Sequence, residues 1–386
     1  MKKIKLMNKI AAVGTDNFDR AIYEVSDTLE NPDAIMVRSA ALHDMEMPEN
    51  LKAIARCGAG VNNIPVEKCT EKGIVVFNTP GANANGVKEL AVCALVLAAR
   101  DVIGGIEWVK TLEGTTDIAK AVEKGKGAYV GTELAGKKLG VIGLGAIGGM
   151  VANAANALGM TVVGCDPFIT PAAAWSLAPS IKQAASYEEI FKTCDYISLH
   201  VPATPQTKNM INEKSIAMMK DGVRIINLAR ADLVCADDIK KALVDKKVAK
   251  YVTDFPTDAT VGAEGIINIP HLGASTVESE DHCAVMAARQ LDEYLTNGNI
   301  KNSVNFPNVS LAHNSLARVC VMHKNIPNTI SQITAAFASV NVNIENMANG
   351  SKGEIAYTII ETNEKVGEDV VNTVMAVEGV LRVLCY

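Results

Sequence analysis

The 386-residue sequence lacks several features, and each absence excludes a class of protein. Its nine cysteines stand singly, with no Cys-x-x-Cys pair, so we expect neither a structural zinc site nor any other metal site. No apolar run approaches the ~20 residues of a membrane-spanning helix. The short apolar N-terminal stretch is soon followed by Asp16, Asp19 and Arg20, unlike a signal peptide. Long basic runs are also missing and the formal charge is −6, so no nucleic-acid surface is indicated.

The cysteines that are present lie mostly inside apolar runs. Buried, reduced thiols are the usual state in such positions, and they are typical of a reducing compartment. We therefore expect a cytoplasmic protein that binds neither membranes nor nucleic acid.

The clearest feature that the sequence does contain is a dinucleotide-binding unit. An apolar strand, Lys138–Ile142, leads into the turn Gly-x-Gly-x-x-Gly at 143–148 and a helical run. A second apolar strand, Thr161–Cys165, then ends on Asp166. A bare glycine motif often serves packing alone, but strand, helix, second strand and terminal acid together favour a dinucleotide site.

Each part of that unit has a physical task. Gly143 permits the tight turn, Gly145 lets the backbone approach a pyrophosphate, and Gly148 lets helix and strand pack closely. The free N–H groups at the helix start attract the diphosphate. The Asp166 carboxylate accepts hydrogen bonds from both ribose hydroxyls and would repel a 2′-phosphate, so the predicted cofactor is NAD and not NADP.

Alternation along the chain predicts the fold class. Up to about residue 98, short apolar strands such as Ala34–Val37 and Ala53–Arg56 alternate with helical stretches, which indicates a parallel sheet. The dinucleotide unit opens a second set of the same kind. Beyond a polar stretch at 302–314, about seventy residues read as strand, helix, two strands, helix and strand. The predicted fold is α/β, with two Rossmann-like doubly wound parallel-sheet lobes and a C-terminal ferredoxin-like βαββαβ domain.

Three chemical side chains follow predicted strands of the second set. Arg230 comes after the strand at 224–228, Asp258 lies 28 positions later, and His271 lies 13 beyond that. Doubly wound folds bind ligands at the carboxyl ends of their strands. Oxidation of a 2-hydroxy acid needs an imidazole to take the hydroxyl proton, a carboxylate to orient it, and a guanidinium to hold the substrate carboxylate. Taken alone, Arg230 could form a surface ion pair, and His271 could be an ordinary loop residue. Together, behind a dinucleotide site, they favour catalysis.

These residues resemble the NAD-dependent D-2-hydroxyacid dehydrogenases over nearly the whole chain. The Arg of Asn-x-x-Arg, the acid three residues past Phe255 and the His of Pro-His-x-Gly form that family's catalytic set, here Arg230, Asp258 and His271. The string Pro-His-Leu-Gly-Ala-Ser-Thr is typical of the branch that acts on phosphoglycerate. The family usually has Glu where Asp258 stands, and Gly where Ala231 stands.

The resemblance also implies a domain plan and ligand contacts. The plan is a substrate-binding domain at 1–98 completed by 274–306, an NAD-binding domain at 99–273, a linker at 307–313 and an ACT-like regulatory domain at 314–386. The implied cofactor contacts are Gly143, Gly145, Ala146, Ile147, Gly148, Asp166, His200, Val201, Pro202, Thr207, Leu228, Ala229, Asp254 (with Thr253 as the alternative) and Gly273. The implied substrate contacts are Arg38, Ser39, Ala59, Gly60, Val61, Asn83 and Lys126, with Lys124 as the alternative to Lys126.

The last domain resembles an ACT module, which senses amino acids. His323, Asn325, Asn343 and Ile344 match positions that bind L-serine in regulated family members. Asn328 stands where Gly is usual. The module therefore predicts either serine feedback or oligomerisation alone.

The activity that the resemblance implies is oxidation of 3-phosphoglycerate (3-phospho-D-glycerate) to 3-phosphooxypyruvate, the first step of L-serine biosynthesis. The alternatives are a hydroxypyruvate or glyoxylate reductase and, outside the enzymes, an NADH-sensing corepressor-like protein. We expect a homodimer formed through residues 100–135, or a homotetramer if the ACT modules also pair.

Overall fold

The computed structural model describes residues 1–313 and 315–386. Contacts within the chain divide it into two compact units. One comprises Met1–Asn83 with Val277–Tyr386, and the other comprises Ala84–Thr276. Asn314, the predicted first residue of the last domain, lies outside the described residues.

The N-terminal part of the first unit is a five-stranded parallel sheet with strand order β2-β1-β3-β4-β5. The predicted alternation of strands and helices is confirmed, and two of the predicted strands have the bounds that the sequence suggested. The elements are β1 (Lys2–Met7), α1 (Ala12–Thr15), β2 (Tyr23–Ser26), β3 (Ala34–Val37), β4 (Ala53–Arg56), α2 (Val66–Glu71) and β5 (Val75–Phe77).

The second unit is a seven-stranded parallel sheet with strand order β12-β11-β10-β9-β6-β7-β8. The order reverses at β6, so the carboxyl ends of β6 and β9 form the switch point at which such folds bind ligands. The elements are α3 (Ala84–Ala99), α4 (Val102–Lys110), α5 (Ile118–Gly125), a 3₁₀ turn (Lys126–Tyr129), β6 (Lys138–Ile142), α6 (Ala146–Ala157), β7 (Thr161–Cys165), α7 (Pro171–Trp175), β8 (Lys182–Gln183), α8 (Tyr187–Thr193), β9 (Tyr196–Leu199), α9 (Glu213–Met218), β10 (Val223–Asn227), a 3₁₀ turn (Ala231–Leu233), α10 (Ala236–Val244), β11 (Val248–Thr253) and β12 (Ile266–Asn268).

The C-terminal part of the first unit begins with a long helix and ends in a four-stranded antiparallel sheet of order β14-β15-β13-β16. The predicted βαββαβ order is confirmed. The elements are α11 (Val277–Asn297), β13 (Ala317–Lys324), α12 (Thr329–Ser339), β14 (Asn346–Lys352), β15 (Ile355–Thr362), α13 (Glu368–Met375) and β16 (Val380–Cys385). α11 ends at the pair Asn297-Gly298, because Gly298 adopts the left-handed φ of +70°.

Both faces of this antiparallel sheet are covered. Val319 and Val321 of β13 pack with Phe337 of α12. The alternate residues Cys320 and Met322 join a core shared with the parallel sheet and α11. The ACT-like domain is therefore packed directly onto the rest of its unit.

Candidate active site

The glycine turn after β6 is shaped by two steric requirements. Gly143 has φ +90°, and a Cβ there would lie 2.5 Å from the carbonyl oxygen of His200. A Cβ on Gly148 would strike the carbonyl oxygen of Gly143. A Cβ on Gly145 would meet nothing within 4 Å. The first and third glycines thus serve packing, whereas the second faces open space at the start of α6, as a pyrophosphate site requires.

Asp166 is held over that turn by backbone bonds. One carboxylate oxygen accepts from the Leu144 N–H at 2.8 Å, and the other accepts from the Phe168 N–H at 2.9 Å. The acid is partly exposed at the carboxyl end of β7, next to the strand that carries the glycine turn. This is the position that recognition of a ribose diol needs.

The segment after β9 lines the other side of the glycine turn. A Cβ on Gly143 would lie 2.9 Å from Val201, and the Thr207 hydroxyl donates to the Pro202 carbonyl at 2.6 Å. His200 shares a 2.8 Å hydrogen bond with the Ser198 hydroxyl, and burial lowers the pKa of His200 to about 4. This imidazole is therefore neutral at pH 7.

Asn227, which the sequence interpretation did not select, fixes the backbone of Arg230. Its side-chain oxygen accepts from the Ala229 N–H at 3.1 Å and the Arg230 N–H at 3.3 Å, and its amide donates to the Arg230 carbonyl at 2.8 Å. The Arg230 side chain is exposed at the carboxyl end of β10. The signal in the sequence was a polar residue at the end of an apolar strand.

Arg230 and His271 contact the same aromatic ring. The guanidinium carbon of Arg230 lies 5.8 Å from the centroid of Phe255, and the imidazole of His271 lies 4.7 Å from it. These two predicted catalytic groups reach Phe255 from separate loops. An imidazole and a guanidinium so placed can act on one small substrate. The imidazole can accept a hydroxyl proton, and the guanidinium can bind a carboxylate.

Asp258 is placed differently from what its predicted role suggests. Its side chain is exposed in the turn after β11. Among the described residues, no hydrogen bond or ion pair joins it to His271. The assignment of Asp258 as the residue that orients the imidazole stays a prediction.

Other predicted cofactor contacts lie on the same side of the sheet. Leu228 is buried and Ala229 is partly buried, both directly after β10. Asp254, directly after β11, is buried, and it accepts from the backbone N–H of Gly273 at 2.8 Å. Burial raises the pKa of Asp254, against the opposing effect of its backbone hydrogen bonds.

In the first unit, Arg38 and Ser39 follow β3 as expected. The Arg38 guanidinium pairs with Glu280 at 2.5 Å, and both side chains are partly exposed. The backbone N–H of Ser39 donates to the Asn8 side chain at 3.1 Å. Ala59, Gly60 and Val61 follow β4, where the Ala59 carbonyl accepts from Asn78 at 2.7 Å.

A second arginine, Arg56, was missed by the sequence interpretation. It is the last residue of β4, and its Nε donates to the Arg38 carbonyl at 3.2 Å. A Cβ on Gly58 would occupy the place of the Arg56 guanidinium, and Gly58 has φ +144°. The glycine that follows the strand therefore makes room for a cation beside Arg38. An Arg that ends an apolar strand just before a glycine-rich turn was the available signal.

Two predicted substrate contacts have less informative surroundings. Asn83 lies partly exposed just before α3. Lys126 is exposed and pairs with Glu123 at 2.6 Å. Nothing in either environment is specific to a substrate.

The predicted effector residues differ in exposure. His323 is 2% exposed and hydrogen-bonds the Lys324 carbonyl at 2.8 Å and the Thr358 hydroxyl at 2.9 Å. Asn325 donates to the Gly353 carbonyl at 3.2 Å, Asn343 donates to Glu345 at 3.0 Å, and Ile344 is partly buried. Asn328 adopts φ +68°, a left-handed conformation in which Asn substitutes for Gly at modest cost.

Within the part of the chain that the structure describes, no group of three or more His, Cys, Asp or Glu residues is arranged to hold a metal ion. Over the same residues, no helix combines the length and apolar character needed to cross a bilayer. All nine cysteines are free thiols, and six of them are buried.

Comparison with known proteins gives a consistent result. Residues 95–273 match the family model described as D-isomer specific 2-hydroxyacid dehydrogenase, NAD binding domain. A D-3-phosphoglycerate dehydrogenase of Haemophilus influenzae is 30% identical over 376 residues, which cover 93% of this chain and 88% of that protein. The enzyme of the same name from Methanocaldococcus jannaschii is 36% identical over 74% of this chain, but the match spans only 54% of that longer protein.

Solved structures agree. The NAD⁺-bound 3-phosphoglycerate dehydrogenase of Entamoeba histolytica has a TM-score of 0.61 at 28% identity, with 79% of this chain and 98% of that chain covered. A glyoxylate reductase of Paecilomyes thermophila has a TM-score of 0.65 at 24% identity, over 78% of this chain and 98% of that chain. At that identity the likeness concerns the fold.

Proposed function

The chain belongs to the D-isomer specific 2-hydroxyacid dehydrogenase family, and we propose that it oxidises 3-phospho-D-glycerate to 3-phosphooxypyruvate with NAD, the first step of L-serine biosynthesis. The observation that carries the chemistry is the common contact of Arg230 and His271 with Phe255. The family relatives named above supply the choice of substrate.

The residues fit NAD as the hydride acceptor. The open space at Gly145 admits a pyrophosphate, and Asp166 suits an unphosphorylated ribose. When bound at this site, NAD would supply the hydride acceptor for the substrate carbon. His271 takes the hydroxyl proton, and Arg230 binds the substrate carboxylate and polarises the developing carbonyl.

Arg38 and Arg56 are the proposed phosphate ligands. The side-chain Nε of Arg56 donates to the Arg38 carbonyl at the ends of the neighbouring strands β3 and β4, so the two arginines lie side by side. Guanidinium groups bind phosphate oxygens with favourable forked geometry. D-Glycerate and D-lactate carry no group that uses this charge.

The test is a comparison of kcat/KM for 3-phosphoglycerate, D-glycerate and D-lactate, with NAD and with NADP. We expect 3-phosphoglycerate and NAD to be preferred, and Arg56→Met to lower kcat/KM for the phosphorylated substrate by about 10-fold or more while changing the D-glycerate value little. Equal constants for the three acids would reject the phosphate proposal and favour a glyoxylate or hydroxypyruvate reductase. Binding of NADH without turnover of any 2-hydroxy acid would favour a corepressor-like protein.

A homodimer formed through the segment from α4 to the following 3₁₀ turn is part of the proposal. α4 buries none of its residues, and Val102, Ile106 and Val109 are exposed on it. Exposed apolar patches of this kind mark protein interfaces. Lys126 would then serve the partner's site. Light scattering should give a dimer or a tetramer, and Ile106→Glu should halve the number of subunits, to a monomer or a dimer respectively.

Regulation by L-serine is proposed for the ACT-like sheet. The support is the hydrogen bond between His323 of β13 and Thr358 of the neighbouring strand β15, close in sequence to Asn325. Inhibition by millimolar L-serine, lost in Asn343→Ala, is the expected result. Insensitivity to serine would leave oligomerisation as the role of this sheet.

Nine free thiols also suit the proposed cytoplasmic location.

A further inference from the structure

The loop that carries His271 is bonded to a buried carboxylate. Asp254, directly after β11, is 1% exposed. One of its oxygens accepts from the Leu272 N–H at 2.6 Å, and the other accepts from the Gly273 N–H at 2.8 Å. Both oxygens are thus engaged by the two residues that follow the catalytic imidazole.

The backbone of His271 needs such support. Its φ is +52°, in the left-handed region that a residue with a Cβ seldom adopts. Such conformations persist where the surroundings hold them in place. The N–H of His271 donates to the Ile269 carbonyl at 2.9 Å, so the loop is tied on both sides of the residue.

Gly273 is fitted to the same carboxylate. A Cβ at this position would lie 2.9 Å from an Asp254 oxygen and 3.5 Å from Val87. A Cβ here would have to displace either the Asp254 carboxylate or the loop. The absence of a side chain here therefore serves the short hydrogen bond.

The neighbouring residue completes the arrangement. Phe255 contacts the imidazole of His271 from the side, at 4.7 Å between ring centroids. The dipeptide Asp254-Phe255 thus holds both the backbone and the ring of the catalytic residue. The exposed Asp258, four positions after Asp254, makes no such bond among the described residues.

We infer that Asp254 is a positioning residue, which fixes the His271 loop in its reactive conformation through the Leu272 and Gly273 amides. The inference rests on the proposed function for the role of His271. It gives Asp254 a task in the protein itself, in place of the predicted contact with the nicotinamide. Small displacements of a catalytic group lower turnover strongly without weakening binding to the same extent.

Asp254→Asn tests this directly, because the amide keeps one acceptor oxygen and turns an NH₂ group toward a donor. We expect kcat to fall by about 10- to 100-fold, with KM for NAD and the dissociation constant for NADH within about 2-fold of wild type. Asp237 is an exposed carboxylate on α10, and Asp237→Asn is the matched control. It should leave kcat, KM for NAD and the dissociation constant for NADH unchanged. Weakened NADH binding with kcat retained would overturn the inference in favour of a cofactor contact.

A second variant and a measurement without substrate keep the inference testable on its own. Gly273→Ala should lower kcat in the same way while Asp254 remains intact. In the double variant with Asp254→Asn, kcat should fall by less than the product of the two single effects. Hydrogen exchange of the peptide at 270–276 should become about 10-fold faster in Asp254→Asn. Unchanged exchange in this peptide would refute the positioning role of Asp254, even if 3-phosphoglycerate proved to be the wrong substrate.

Discussion

At the scale of single residues, the proposed role of the His271 imidazole is separable from cofactor binding. It contacts Phe255 and lies on a loop of its own, whereas the proposed pyrophosphate site lies at the glycine turn after β6. Replacing His271 by Ala should lower kcat on the order of 100-fold or more, because the hydroxyl proton then has no acceptor. NADH titration by fluorescence should show unchanged affinity. A parallel loss of NADH binding would contradict this division of roles.

His200 makes the stability of the protein depend on pH. Burial lowers the pKa of His200 to about 4, from 6.5 in an unfolded chain. Below pH 6.5 the unfolded chain therefore binds a proton that the folded chain does not, so stability falls progressively as pH drops toward 4. The full loss is ~3 kcal/mol, counted as ~1.4 kcal/mol per unit of pKa.

Urea unfolding at pH 7.5 and pH 5 measures this effect. His200→Gln keeps a hydrogen-bonding side chain without a titrating proton, so its stability should differ less between the two pH values. An equal pH dependence in variant and wild type would assign the effect to other groups.

At the scale of elements, the glycines of the turn between β6 and α6 have different roles, one in cofactor binding and another in packing. A Cβ on Gly145 meets nothing within 4 Å, whereas one on Gly148 strikes the Gly143 carbonyl. Gly145→Ala should therefore weaken NADH binding with little change in melting temperature. Gly148→Ala should lower the melting temperature itself, because close packing of α6 on β6 is lost. Calorimetry with NADH titration checks both, and equal melting temperatures for the two variants would contradict the assignment.

The bounds of elements were predictable where the pattern is local. β6 and β7 have the predicted ends, since a buried apolar run stops at a glycine or an acid. α3 begins at Ala84, where Asn85, Gly86 and Lys88 leave no apolar stripe that could have indicated the start of a helix. β14 begins at Asn346, because pairing with β15 begins only there.

At the scale of the whole molecule, the ACT-like sheet is tied into the first unit by a buried arginine of β13, Arg318. Arg318 and Glu361 are both 0% exposed and lie 2.5 Å apart. Arg318 also donates to the carbonyls of Asn297, at the end of α11, and Leu311, before β13. On the same sheet, Arg382 donates to the Glu49 carbonyl at 2.9 Å.

Breaking this pair should destabilise the unit as one body. Glu361→Gln leaves a buried guanidinium without its counter-charge, which costs about 3–5 kcal/mol. Glu107→Gln, which removes the exposed pair with Lys110, should cost less than ~1 kcal/mol. Urea unfolding followed by circular dichroism measures both, and a separate early transition of the ACT-like sheet alone would contradict a shared core.

The sequence by itself determined the cofactor turn, the acid after β7, the positions of Arg230 and His271 at strand ends, and the βαββαβ order. These are local patterns, in which glycine spacing and apolar periodicity act over a few residues. Tertiary structure alone decided that Asn227 holds Arg230, that Arg56 lies beside Arg38, that Asp254 binds the His271 loop and that Asp258 is exposed. From the sequence alone, an arginine such as Arg318 is expected at the surface. Its burial depends on Glu361, 43 positions away, and the sequence does not show that pairing. A charged side chain becomes structural only through partners that folding brings to it.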